Sequence, residues 1–387
     1  MFSLRRRLSA RLCLIPLAIA TSAVANSAFA DDHGPFLERF DTVSLVASTV
    51  PANGDINPYG IVVVPRSEGL LKRGHVLISN FNNSANAQGT GTTIVQVSPQ
   101  GALTLFAQID PAAVANGCPG GVGLTTALTV LKRGWVIVGS LPTTDGTSAT
   151  AGAGCLIVLN SAGEVVETFA GGGINGPWDM TSLDEEEHAW LFVTNVLNGN
   201  VTAGNPHVVN QGTVLRIALR VPKHGEGIPA LGATTVIGSG FAETADPDAL
   251  VIGPTGVGLA EDGTLYVADS VNNRIAAIPH ALTRQTTAFT GVEVTIDGAL
   301  NDPLGLLIAP DGHIITANGG DGNLVETTRA GSQIAVTTVE TATGAGSLFG
   351  IAIVPGRRGV YFVDDGDNTL KVLAPKNAPK GQGDESD

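Results

Sequence analysis

Apolar residues recur along this chain in short runs closed by polar turns, and the clearest set lies between Gly253 and Ile278. There Val257 to Ala260 is followed by Glu261-Asp262-Gly263, and Asp-Gly supplies the positive φ that a tight hairpin turn needs. Leu265-Tyr266-Val267-Ala268 then makes a second run. Asp269 to Arg274 turns the chain into a third, Ile275 to Ile278. Short apolar runs separated by turns, with no period of 3.6, predict antiparallel strands rather than helices.

The same unit returns when the turn before its first strand is used as a ruler. Asn57-Pro58-Tyr59-Gly60 leads into Ile61–Val64, and Gly121-Val122-Gly123 into Leu124–Leu131. Asn175-Gly176-Pro177-Trp178 opens a third unit, Asp302-Pro303-Leu304-Gly305 a fifth and Leu348-Phe349-Gly350 a sixth. The residues in register are Gly60, Gly123, Asp179, Gly256, Gly305 and Gly350. Six such units predict an all-β chain folded as a six-bladed β-propeller. The last unit shows three strands only, and Phe40 to Thr49 alternates without a turn before it. Thr42–Ala47 is therefore expected to supply the outer strand of the sixth blade, which removes the open edge of the ring.

Composition adds compartment and charge. Residues 1–30 have a basic start (Arg5, Arg6, Arg7, Arg11), an apolar segment from Leu12 to about Ala25, and Ala28-Phe29-Ala30 before Asp31. That is the pattern of a secretory signal peptide, too short to span a bilayer, and it predicts a secreted or periplasmic protein cleaved near Ala30. Residues 31–374 then form one propeller domain, and the polar, Pro/Gly-rich tail 375–387 is read as disordered. With 21 Lys+Arg against 35 Asp+Glu the net charge is −14. Phosphate contact relies on clustered cations, so nucleic acid is not an expected partner. No later segment reads as a membrane span, and a monomer is expected.

The run Tyr266-Val267-Ala268-Asp269 followed by Asn273, Arg274 and Ile275, with Pro254-x-Gly256 and Asp262-Gly263 before it, resembles an NHL repeat. Residues 301–327 and 348–372 resemble it more loosely. The resemblance implies a propeller and leaves activity open, since NHL-type rings include ligand-binding, protein-binding, RNA-binding and lyase members. A weaker similarity is to calcium-dependent lactonase propellers (the SMP-30-like group), which place Glu, Asn and Asp ligands at the starts of innermost strands. Asn57, Asn175, Asn301 and Asp302 stand at such starts, although no Glu does.

Strand order assigns two faces. Loops before each innermost strand, and between the second and third strands, share what is called here the upper face. It gathers Asx residues, of which Asp269, Asp302, Asp364 and Asp365 are placed nearest the axis. Such side chains hold tight turns by bonding their own backbone, or bind a hard cation such as calcium through oxygen. The lower face carries Lys72-Arg73, Lys132-Arg133 and Arg357-Arg358 in adjacent units. The remaining units place Asp184 to Glu187, Glu261-Asp262 and Asp311 there. That polarity makes the six cations candidates for a docking face.

NHL-type amidating lyases use several histidines near the axis. Here His75, His188 and His313 start second strands, on a circle too wide for one ion. Gly346-Ser347-Leu348-Phe349-Gly350 has one residue too many for a nucleophile elbow. Cys13 leaves with the leader, so Cys118 and Cys155, both on the upper face of the second unit, are expected to pair. The reading of first choice is a recognition module that binds a ligand or protein partner through its upper face. Its alternatives are a metal-dependent hydrolase, lactonase or lyase at the axial mouth, and a structural propeller of the cell envelope.

Overall fold

In the computed structural model, residues 34–118, 120–198, 207–341 and 347–376 are described. The expected leader and residues 377–387 of the expected tail lie outside them. The described residues form six antiparallel sheets arranged as blades around one axis. Each innermost strand packs on that of the next blade, and the sixth returns to the first. Counted from the axis outwards, blade 1 is Ile56–Val63, Val76–Asn82, Thr93–Val97 and Leu103–Gln108. Blade 2 begins with Leu124–Val130, blade 4 with Pro254–Leu259, blade 5 with Pro303–Ile308 and blade 6 with Leu348–Ile353.

The closure expected from the two chain ends is present. Thr42–Ser48 pairs antiparallel with Thr369–Ala374, from Thr42 opposite Ala374 to Ser48 opposite Thr369. The anchor begins before that strand. Phe36, Leu37 and Phe40 are buried among Ala309, Ile315, Leu348 and Phe362, between blades 5 and 6. The buried Glu326 carboxylate accepts from the Phe36 and Leu37 amides at 2.9 and 2.8 Å.

Close backbone approach explains the glycine register. A Cβ on Gly60, Gly256, Gly305 or Gly350 would lie 2.1–2.5 Å from Ser79 Oγ or a neighbouring blade's backbone oxygen. Blade 2 departs from the sequence reading here. Ser79 Oγ receives the Gly60 amide and donates to Thr125 O, as Thr194 Oγ1 receives the Asp179 amide and donates to Thr255 O. The residue in register is therefore Thr126, in the bulge between Leu124 and Leu128, and not Gly123. The ring thus carries four glycines, Thr126 and Asp179.

Blade 3 has a fifth strand. Pro177–Asp184, His188–Asn195, Val209–Arg220 and the 17-residue Ala230–Asp246 are followed by Leu250–Ile252, which pairs back on Thr244–Asp246. Its turn, Asp246-Pro247-Asp248, reaches over the upper face. The Cys118–Cys155 disulfide is formed, with Cα atoms 5.4 Å apart, and ties the loop before blade 2 to that blade's third strand.

Candidate functional site

The axial mouth of the upper face is filled. Tyr59 of blade 1 stacks on Phe349 of blade 6 with centroids 3.8 Å apart and on Phe81 at 4.6 Å. Trp178, from blade 3 on the far side of the ring, comes within 6.2 Å of Phe349. Leu250, Val251, Ile252 and Leu304 complete this apolar cluster, and the Trp178 indole donates to Val251 O at 2.9 Å. The residue before each register position is Tyr59, Thr125, Trp178, Thr255, Leu304 or Phe349. None is a carboxylate, so the residues that fill the mouth offer no acid to a cation on the axis.

Oxygen donors gather beside the plug. A cavity of about 300 Å³ is lined by Asn57, Asn82, Asn86, Gln88, Pro247, Asp248, Asp365 and Gly366. It sits under the blade 3 turn and against the loops of blades 1 and 6. The turn is held from below, because the Tyr59 hydroxyl donates to Asp248 O at 3.2 Å and Gln88 Nε2 to Pro247 O and Asp248 O. Asn57 occupies a left-handed conformation (φ 57°), which Asn tolerates. Asn82 is 1 % exposed; its amide nitrogen donates to Asn86 Oδ1 at 2.7 Å, while its Oδ1 is buried without a partner. A buried acceptor left unpaired costs about 1–3 kcal/mol, so the Asn82 side chain, beside this cavity, carries an unmet demand for a donor or a cation.

The electrostatics agree. Burial pushes the Asp365 carboxyl up to about 8, with Asp364 and Asp248 adding repulsion. Burial likewise pushes Asp302 up to about 7, with Asp246 and Asp248 adding to it, and Asp302 Oδ1 is buried without a partner. Asn57, Asn82, Asp248 and Asp365 around one cavity can each offer an oxygen, which suits a hard cation.

The sequence candidates divide accordingly. Asn57 and Asp365 come together in the cavity, and Asp302 faces the same turn from blade 5. Asp269 is drawn into an ion pair with Arg274 at 2.7 Å, and Asp364 into one with Lys371 at 2.6 Å. Both hold turns between second and third strands. Asn175 belongs to a separate amide network with Asn195 and Asn198, and Asn301 accepts the Gly320 amide through its carbonyl. Sequence reasoning did not single out Asn82 among the Asx residues of the upper face, and missed Asp248 altogether. The signal for Asp248 was an Asp-Pro-Asp turn immediately before the apolar Leu250–Ile252.

On the lower face the charges of blades 2 and 3 satisfy one another. Lys132 Nζ donates to Asp184 O at 2.8 Å, and Arg133 reaches Glu187 at 3.4 Å and Glu186 at 4.0 Å. Among the described residues no ion pair is seen for Lys72, Arg73, Arg357 or Arg358, the other cations of that face. Asp311, His313 and Glu326 bring ligand atoms within 4.8 Å of one another. Both Glu326 oxygens, however, already receive the amides of Phe36 and Leu37, and Oε1 also meets His313 Nδ1 at 2.7 Å. This trio anchors the chain's N-terminal segment.

No family model matches the chain, and no curated protein is similar to it in sequence. Solved structures share its fold. A luciferin-regenerating enzyme superposes with a TM-score of 0.54 at 11 % identity, over 88 % of this chain and 97 % of that one. A gluconolactonase from Xanthomonas campestris gives 0.52 at 10 % identity, over 87 % and 90 %. A calcium-binding protein, regucalcin, from Agrobacterium tumefaciens gives 0.52 at 13 % identity, over 85 % and 93 %. These likenesses establish the propeller fold, and do not single out NHL repeats among propellers.

Proposed function

We propose that this protein is a cation-dependent propeller enzyme of the hydrolase class, acting on a lactone or another ester at the upper-face cavity. The observation that carries the reading is the convergence of Asn57, Asn82, Asp248 and Asp365 on one cavity, with Asn82 Oδ1 buried and unpartnered behind its lining. The substrate class follows the gluconolactonase that shares the ring. Asn57, Asn82, Asp248 and Asp365 would hold the ion. A bound hard cation there supplies Lewis-acid polarisation of a carbonyl oxygen. Tyr59 and Gln88 fix the backbone of the turn that presents Asp248, and the aromatic plug forms a dry wall beside it. Export of the chain belongs to the same reading. It is supported by the basic and apolar leader pattern, by the disulfide, and by the lack, among described residues, of a helix able to cross a membrane.

Hydrolysis of a panel of γ- and δ-lactones and simple esters by the purified chain, with calcium and with chelator, tests this. Calcium-dependent turnover that Asp365→Asn lowers at least tenfold is expected. Calcium binding without turnover of any panel member would favour recognition instead. The observation favouring that second reading is the plug, which fills the axial mouth and leaves the cavity beside the axis for a partner to cover.

A further inference from the structure

The turn that presents Asp365 joins Val360–Asp364 to Thr369–Ala374 in blade 6 and is fastened at both ends. At its start Lys371 Nζ meets Asp364 at 2.6 Å and Asp367 at 2.8 Å, so acids on either side of Asp365 share one cation. Asp364 Oδ1 accepts the Gly366 amide at 3.0 Å, and the Asp365 amide donates to Ser347 O at 3.0 Å. At its end stands Asn368, in a left-handed conformation (φ 59°) that Asn tolerates.

Asn368 does not line the cavity, yet it is bonded to a residue that does. Its side-chain Oδ1 accepts the Asn57 amide at 2.8 Å. The ladder of blade 1 pairs Ile56 with Asn82 and Pro58 with Asn80, and passes over Asn57 between them. The Asn57 amide is therefore satisfied from the neighbouring blade. The main-chain oxygen of Asn368 accepts the amide and the hydroxyl of Thr49, each at 2.9 Å. Thr49 directly follows the closing strand Thr42–Ser48. Those main-chain bonds would form with any residue able to hold the left-handed turn, and glycine holds it most easily. Only the bond to Asn57 calls for a side-chain acceptor.

We propose that Asn368 is a positioning residue of the upper-face cation site, holding Asn57 of blade 1 and the Asp365 turn of blade 6 in fixed relation. The inference rests on the reading of that cavity as a cation site. It adds that the placement of Asn57 and Asp365 is set across a blade boundary by a side chain that touches no ion. The same residue ties the site to the strand that closes the ring. Partners that bond to ligands rather than to the metal change metal affinity by about 10–100-fold when removed.

Calorimetric titration of the full mature chain with calcium chloride tests this, together with hydrogen exchange at the Asn57 amide in chelator. Asn368→Gly keeps the turn and loses the acceptor, so it should bind calcium at least about tenfold more weakly than wild type and exchange Asn57 faster. Asn368→Asp keeps an acceptor at that place and should restore both the affinity and the slow exchange. Asn368→Ser, too short to reach Asn57, serves if the Gly variant does not fold. Calcium binding by wild type and Asn368→Gly with one constant would overturn the role of Asn368 and leave the cavity reading standing. So would failure of Asn368→Asp to restore slow exchange. Absence of calcium binding to wild type would overturn the cavity reading and this inference with it.

Discussion

At Asp365 and Asp302 the folded chain holds two carboxyls with raised pKa values, about 8 and about 7, both chiefly through burial. Asp179 at about 7 and Glu243 at about 8 are raised for the same first reason. In the unfolded chain such groups titrate near 4. Between about pH 4 and pH 8 the native state therefore retains protons that the unfolded state has released, and stability falls as pH rises through that window. Melting of the chelator-treated protein should show it, with Tm dropping from pH 5 to pH 8.5. Calcium should restore part of that loss at pH 8.5, because it binds the ionised oxygens. A Tm indifferent to calcium at pH 8.5 contradicts the cavity as a cation site. Asp365→Asn should raise the metal-free Tm at pH 8.5 and weaken calcium binding at least tenfold, whereas Lys72→Ala should change neither. Asp269→Ala should lower stability through the orphaned, mostly buried Arg274, without a specific effect on calcium affinity.

Among the elements, the closing strand and the disulfide have separable consequences. Deleting residues 34–48 removes the outer strand of blade 6 and the buried Phe36, Leu37 and Phe40. Each such side chain is worth about 1.5–3 kcal/mol, so a loss of several kcal/mol, or aggregation through the exposed edge, is expected in denaturant titration. Replacing Cys118 and Cys155 by Ala opens a link across a sequence separation of 37, worth ~4 kcal/mol on chain-entropy reasoning. An unchanged denaturation midpoint would contradict that role. These features were legible from sequence because they rest on local signals: turns before innermost strands, Asp-Gly hairpins and cysteine parity. Gly123 was misplaced because Gly121-Val122-Gly123 imitates the leading turn, while a bulge moves the true register to Thr126. The fifth strand of blade 3 was not legible, since its long partner Ala230–Asp246 carries no regular turn punctuation. The plug was hidden too. Tyr59, Trp178 and Phe349 are far apart in sequence, and only ring closure brings them together.

For the whole molecule, the aromatic plug separates two cavities. Above it is an oxygen-rich cavity fed by turns of blades 1, 3 and 6; below it is a channel between the innermost strands, with Asp179 among its lining residues. Fold class was readable because six repeats must close a sheet-edge problem in few ways. The site was half readable: Asn57 and Asp365 were named, but their convergence depends on the Asp246-Pro247-Asp248 turn crossing the ring. The net charge of −14 adds a general attraction for cations that salt screens, whereas a built site is local. The most direct measurement is therefore positional: an anomalous-scattering map from a crystal soaked with terbium as a calcium substitute. The peak is expected among Asn57, Asn82, Asp248 and Asp365, and to be absent from Asp365→Asn crystals. A peak instead at Asp269 or Asp364, or none at an occupancy-saturating concentration, would contradict the account.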